Sequence, residues 1–240
     1  HEQGFLINGQ AVKLRGACLH HDHGLIGAAD IEAAEARRIQ KLHAAGFNAI
    51  RCAHNQASQN LLNACDRYGM VVMNELSDAW DEPKNDEDVS NAFPYEWKHM
   101  IKSLVDASYN HPSVMLYSVG NEIRILNSPY GAKRTRELAD YLRSLDDTRY
   151  LTNATNLLIT MGQVLGAHAK EKGMDNDDNQ GGIDINELLT NMGEIVKNVV
   201  SDEITSQLTE EAFESVDIAG YNYATARYTM DAKRYPKRVI

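Results

Sequence analysis

The stretch NHPSVMLYSVGNEI, residues 110–123, decides how the rest of the chain is read. A turn at Asn110-His111-Pro112 leads into a mostly apolar, strand-like run at 114–119, which ends in Gly120-Asn121-Glu122. The bulk of that run reads as buried core, so a charged side chain placed directly after it needs a reason. Glu122 either caps the next helix or pairs at a rim, or it is a carboxyl group held at the mouth of a barrel. In the second case partial burial raises its pKa toward the range of a general acid. Asn121 beside it is placed to donate to a substrate hydroxyl.

The same beat recurs outward from this run. Strand-like segments fall at 12–18, 48–53, 70–76, 150–154 and 217–223, and another begins at 238–240. Helix-like segments lie between them. The stretch 31–45 sets Ala34, Arg38, Leu42 and Ala45 at three- and four-residue spacings, with Gly46 as a C-terminal cap. Others fall at 58–67, 97–109 and 134–145, and less regularly at 185–200 and 210–213. Ahead of the first strand, Asn8-Gly9 between two short apolar stretches signals a hairpin, because both residues tolerate positive φ.

Alternating strands and helices imply parallel strands joined by right-handed crossovers, either in an open doubly wound sheet or in a closed barrel. A dinucleotide-binding sheet carries G-x-G-x-x-G after an early strand, and this chain has none. Polar and ionisable residues stand instead at the C-terminal ends of several strands: His20, His54, Glu75, Glu122 and Asn222-Tyr223. In a barrel those ends converge on one mouth, where the active site is built. The expected fold is therefore α/β, a (β/α)8 TIM barrel truncated near the start of strand seven. Residues 1–10 read as a lead-in hairpin and 11–240 as an incomplete barrel, with a polar loop at 170–182, KEKGMDNDDNQGG.

Composition narrows the function. A hydrophobic fraction of 43% and a charged fraction of 24% describe a folded domain rather than a disordered chain. The 24 basic residues against 34 acidic ones, a net charge of −10, argue against nucleic acid as a partner. No apolar run approaches the roughly 18 residues of a membrane span. Cys18, Cys52 and Cys65 are too few for a disulfide framework, and Cys18 and Cys52 read as small strand-packing residues. No signal segment follows His1, which leaves the periplasm and the cytoplasm both open.

Several further side chains are chemically suggestive. Glu75 ends the third strand, and Asp78 and Asp81 follow with Trp80 between them. Glu75 and Glu122 are a candidate carboxylate pair for glycosidic cleavage. Trp80 reads equally as a stacking platform for a ligand or as a loop anchor. His20-His21-Asp22-His23 suits either hydrogen bonding to a polyhydroxylated ligand or a metal-dependent hydrolase. Neighbours in an extended segment point in opposite directions, so at most His21 and His23 share one centre. Arg51, in an otherwise apolar strand, needs a partner: a catalytic carboxylate or a rim acid. Tyr223 is placed to donate to a carboxylate. Asn153-Ala154-Thr155 has the form of an N-glycosylation acceptor, incidental at a strand end.

Four motifs together, GFLINGQAVKLRGACLHHDHGLIGAA, GFNAIRCAHN, LLNACDRYGMVVMNE and NHPSVMLYSVGNE, resemble the catalytic barrel of glycoside hydrolase family 2. That family includes bacterial β-galactosidases and β-glucuronidases. The resemblance implies a retaining β-glycosidase, most like a β-galactosidase, that works through a covalent glycosyl-enzyme intermediate on a terminal β-linked sugar. It implies Glu122 as general acid/base and Asn121 as partner of the sugar 2-hydroxyl. His20 and His54 match sugar-contacting positions, and Arg51 and Tyr223 match supports of the nucleophile. The nucleophile itself is expected as a Glu after Ile240, which leaves Glu75, Asp78, Trp80 and Asn222 as site-shaping or ligand-binding residues and the 1–240 piece inactive alone. No cofactor and no metal site is carried over, although some relatives bind Mg²⁺ or Na⁺. Sandwich domains in the same parent chain and an oligomer are further expectations. The alternatives are β-glucuronidase specificity, a non-catalytic carbohydrate-binding barrel and a metal-dependent barrel hydrolase.

Overall fold

The computed structural model describes residues 4–159, 162 and 203–240. The polar stretch 170–182 and the helix-like run 185–200 lie outside the described residues. The hairpin forms where Asn-Gly signals it, between β1 (Leu6–Ile7) and β2 (Gln10–Ala11). Asn8 and Gly9 turn it at φ of 52° and 77°, the paired positive values that a two-residue type I′ turn requires.

Six parallel strands follow: β3 (Gly16–His20), β4 (Ala49–Ala53), β5 (Val71–Glu75), β6 (Val114–Asn121), β7 (Tyr150–Asn156) and β8 (Tyr221–Asn222). Each is hydrogen-bonded to the next in chain order. A doubly wound sheet reverses its strand order at a switch point, and this one never does. The winding is that of a (β/α) barrel, left open here between β3 and β8 among the described residues. An isolated parallel bridge between Ile218 and Val239 puts the run at 238–240 beside the sixth strand, where a seventh is expected.

Four helices return the chain between the first strands: α1 (Glu32–Ala44), α2 (Gln59–Tyr68), α3 (Phe93–Ser108) and α4 (Pro129–Leu145). Later in the chain come α5 (Glu203–Glu214) and α6 (Arg227–Arg234). Ser58 caps α2 by accepting the Leu61 N–H, and Gly69 ends it in the left-handed conformation. Helices α3 and α4 start earlier than periodicity indicates, because Pro94 and Pro129 stand at their first turns, where proline is tolerated. Helix α6 buries Arg227 and Asp231 rather than an apolar stripe, so hydrophobic periodicity does not reveal it.

Two strands are shorter than expected. Residues 12–15 lie outside β3, and the Asn48 side chain takes two of their backbone hydrogen bonds. Its Oδ1 accepts the Arg15 N–H at 2.6 Å, and its Nδ2 donates to the Lys13 carbonyl at 2.9 Å. The run at 217–223 narrows to β8 and the bridge at Ile218, with the Asp217 carboxylate taking the Leu151 N–H at 2.7 Å.

The core lies between the outer face of the sheet and the helices. Ile50, Cys52 and Val72 pack there with Ile39, Leu61, Leu62, Cys65 and Leu104, all nearly or fully buried. Burying each such aliphatic side chain contributes about 1.5–3 kcal/mol. Cys52 is a buried packing residue as expected, whereas Cys18 is exposed; Cys65 is also buried, and burial pushes its thiol up to about 12. Asn153 is 2% exposed within β7, which puts the glycosylation-like triplet inside the sheet. No described helix is long and apolar enough to cross a membrane.

Candidate active site

Strand ends β3 to β8 converge on one mouth, and the side chains collected there form a continuous hydrogen-bonded network. Its base is Glu75, the last residue of β5, wholly buried. A bare carboxylate in that position carries a large desolvation cost unless paired and hydrogen-bonded. Arg51 on β4 meets it with a fork: Nε donates to Oε2 at 2.9 Å and Nη2 to Oε1 at 3.0 Å. Ser118 Oγ adds a donor at 2.6 Å and His54 Nδ1 another at 2.8 Å. Because Glu75 accepts, His54 carries its proton on Nδ1, which fixes its tautomer. The ring of His20, at the end of β3, stands edge-on to His54 with centroids 5.1 Å apart.

Arg51 also ties this base to the upper layer. Its Nη2 donates to Asn121 Oδ1 at 2.8 Å, and its Nη1 reaches Asn222 Oδ1 at 3.4 Å. Asn222 Nδ2 donates both to Asn121 Oδ1 at 2.9 Å and to Glu122 Oε1 at 2.7 Å. Asn156 Nδ2, at the end of β7, donates to Glu122 Oε2 at 3.1 Å. Glu122 is thus half-buried between two neutral amides, and among the described residues it forms no ion pair.

Among the described residues, Glu122 and Tyr223 are two of three non-glycine residues with positive φ, at 46° and 57°. Such conformations cost on the order of 1–3 kcal/mol and persist where surrounding contacts over-determine them. Here the Glu122 N–H is held by the Ala154 carbonyl at 2.7 Å. Tyr223 is 47% exposed at the mouth. Partial burial, and then the charge of Glu122, raise its phenol above the ordinary tyrosine value.

On the other side of Asn121, its Nδ2 donates to Asp78 Oδ1 at 2.8 Å. Lys84 Nζ donates to the same oxygen at 2.7 Å and to the Asn121 carbonyl at 2.9 Å. Burial works to raise the Asp78 carboxyl, but the hydrogen bonds from Lys84 and Asn121 and the lysine charge carry it below its ordinary value.

The network brings together Glu122, Asn121, Arg51, Glu75, His54, Asp78 and Asn222, with His20 and Tyr223 at its edge. Trp80 does not belong to the mouth. It is fully buried, stacks on Phe93 at 6.3 Å between centroids, and donates its indole N–H to the Val119 carbonyl at 3.0 Å. It is the loop anchor, with no face left for a ligand. Glu75 is wholly buried and saturated by its donors. The other histidines diverge: His23 Nε2 meets Glu35 at 2.7 Å, and burial lowers the His21 pKa. Among the described residues no group of three or more His, Cys, Asp or Glu side chains is placed to hold a metal ion.

Sequence reasoning missed Asn156, Ser118 and Lys84. Asn156 had a signal, since β7 runs two residues past the apolar stretch and ends in Thr155-Asn156. Ser118 had a weaker one, a hydroxyl inside an apolar strand. Lys84 had none, because an irregular loop carries it.

Residues 1–180 match the family model described as Glycosyl hydrolases family 2, TIM barrel domain. The chain is 32% identical over 232 residues to the β-galactosidase BoGH2A of Bacteroides ovatus, covering 92% of this chain and 24% of that one. A putative β-glucuronidase of Formosa agariphila is 33% identical over 152 residues, covering 63% of this chain and 14% of that one. Among solved structures, a glycosyl hydrolase family 2 member from Bacteroides cellulosilyticus superposes with a TM-score of 0.77 at 36% identity, over 100% of this chain and 25% of its own. The chain thus spans a quarter or less of the length of each of these relatives.

Proposed function

Because the chain belongs to glycosyl hydrolase family 2 and carries that family's TIM barrel domain, we propose that the protein is a retaining β-glycosidase acting on a terminal β-galactoside. The observation that carries this reading is the contrast between its two mouth glutamates. Glu75 is buried, ion-paired and saturated, whereas Glu122 is held, among the described residues, by the amides of Asn156 and Asn222. A group that must give up a proton and take it back cannot be locked in an ion pair, so Glu122 is the general acid/base.

In the first step Glu122 protonates the leaving oxygen while a second carboxylate attacks the anomeric carbon. In the second, Glu122 takes a proton from water, which displaces the enzyme carboxylate and restores the sugar's configuration. That nucleophile is assigned to the strand opening at Val239, at a glutamate beyond Ile240, roughly 5–5.5 Å from Glu122. In this reading Arg51 and Tyr223 support that nucleophile. Asn121 uses one Nδ2 hydrogen on Asp78 and has its second for the sugar 2-hydroxyl. His20, His54 and the outer oxygen of Asp78 serve the remaining hydroxyls.

A second reading, β-glucuronide cleavage, draws on the name of the Formosa relative. A uronate needs a cation or amide donors for its carboxylate, and both described cations at the mouth, Arg51 and Lys84, are already paired with acids. That favours a neutral sugar. The deciding experiment assays the intact protein on p-nitrophenyl β-galactoside and β-glucuronide, beside Glu122→Gln. Galactoside turnover that is lost in the variant supports the reading. Glucuronide turnover moves the specificity, and no turnover of either substrate favours a non-catalytic binding barrel.

A further inference from the structure

The peptide that joins Asn121 to Glu122 is held on both sides. Its N–H, on Glu122, donates to the Ala154 carbonyl of the neighbouring strand at 2.7 Å. Its carbonyl, on Asn121, accepts Lys84 Nζ at 2.9 Å. With the plane of that peptide fixed, the left-handed φ of 46° at Glu122 aims the carboxyl group at the mouth. The same ammonium group holds Asp78 Oδ1 at 2.7 Å, and that oxygen takes the Asn121 side-chain amide at 2.8 Å. Lys84, Asp78 and Asn121 therefore close a triangle directly beneath the acid/base.

Lys84 is itself prearranged. Its backbone N–H and that of Asn85 donate to Asp88 Oδ2 at 2.7 and 3.1 Å, and Ser90 N–H donates to Asp88 Oδ1 at 2.9 Å. Arg124 Nη1 meets the Pro83 carbonyl at 3.1 Å from the segment following Glu122. The loop is thus fastened at its base by Asp88 and laterally by Arg124, with the lysine delivered between.

From this geometry we infer that Lys84 is a positioning residue for Glu122: its ammonium group fixes the Asn121–Glu122 peptide and so sets where the acid/base delivers its proton. A group that sets proton delivery matters in proportion to how much the leaving group needs the proton. A residue that only stabilises the fold affects all substrates alike. The inference rests on Glu122 being the acid/base, and the test separates the two.

The experiment measures kcat and KM of the intact protein, Lys84→Met, Lys84→Arg and Glu122→Gln on a series of aryl β-galactosides. The series runs from 2,4-dinitrophenyl, which leaves without protonation, to unsubstituted phenyl, which does not. The expected result for Lys84→Met is a fall in kcat/KM, which reports the glycosylation step, of about 10–100-fold on the phenyl glycoside, as misplacement of a catalytic group by an ångström gives. The fall in kcat/KM on the dinitrophenyl glycoside is about threefold or less, while Lys84→Arg restores most of the rate. Equal losses across the series, or no loss, would overturn the inference while a leaving-group-dependent Glu122→Gln leaves the acid/base assignment standing. A Glu122→Gln variant without leaving-group dependence would overturn both.

Discussion

The side-chain amide of Asn222 donates to Oε1 of Glu122 at 2.7 Å across 100 residues of chain. The same Nδ2 reaches Asn121 Oδ1 at 2.9 Å, so one amide from β8 sets both polar residues at the end of β6. Replacing it with alanine removes both contacts while leaving the core intact. Asn222→Ala is expected to lower kcat by about 10-fold or more, since orientation of a catalytic group carries much of its effect. Thermal stability should change little, and steady-state kinetics beside a melting curve checks both.

Arg51 and Glu75 make the opposite case, in which the partner supports the fold. Removing Arg51 leaves a fully buried carboxylate without its fork. Arg51→Met should cost about 3–5 kcal/mol, as breaking a buried ion pair does from one side. Arg51→Lys should recover only part, because one ammonium group cannot reproduce the two parallel N–H bonds. Urea denaturation of the three proteins measures this directly.

The loop that carries Lys84 has a pH dependence of known sign. Burial acts to raise the Asp88 carboxyl, but hydrogen bonds from Ser90, Lys84 and Asn85 outweigh it and hold the group at about 2. A folded-state value below the unfolded one contributes stability that is present above about pH 4 and is lost as pH falls toward 2. The stability difference between the native protein and Asp88→Asn should therefore be constant from pH 7 to about 5 and shrink toward pH 2. A difference that grows on acidification would contradict the assignment.

Trp80 supports the site from beneath. A Cβ on Gly120 would lie 2.8 Å from the indole nitrogen and 2.8 Å from Ile123 Cγ1. Gly120→Ala should destabilise by about 1–3 kcal/mol through overpacking, and Trp80→Ala by about 3–5 kcal/mol through the cavity. Both should lower activity, because the displaced backbone leads straight into Asn121. Calorimetry gives the first effect and kinetics the second.

The residues differ in how far sequence alone reveals them. The barrel was legible because each strand ends in a residue whose charge or polarity is out of place after an apolar run, as at His54, Glu75 and Glu122. Boundaries were less so. Residues 12–15 look like strand, but a distant side chain, Asn48, takes two of their backbone hydrogen bonds, and no local pattern reports that. Trp80 was ambiguous because a tryptophan between two aspartates has the same local look at a mouth or in a core; only the Val119 carbonyl and Phe93 decide it. Lys84 was invisible, since its importance lies in one carbonyl 37 residues away.

The central claim is that Glu122 gives and takes the proton of a retaining hydrolysis. It is tested most directly by the intact Glu122→Ala protein with 2,4-dinitrophenyl β-galactoside and sodium azide. Without the acid/base, a glycosyl-enzyme should still form from this activated substrate and then stall, because water lacks its base. Azide needs no deprotonation and fits the space left by the side chain. The expected result is restored turnover with galactosyl azide of β configuration as product. Turnover that is unimpaired without azide, or an azide product of α configuration, would contradict it.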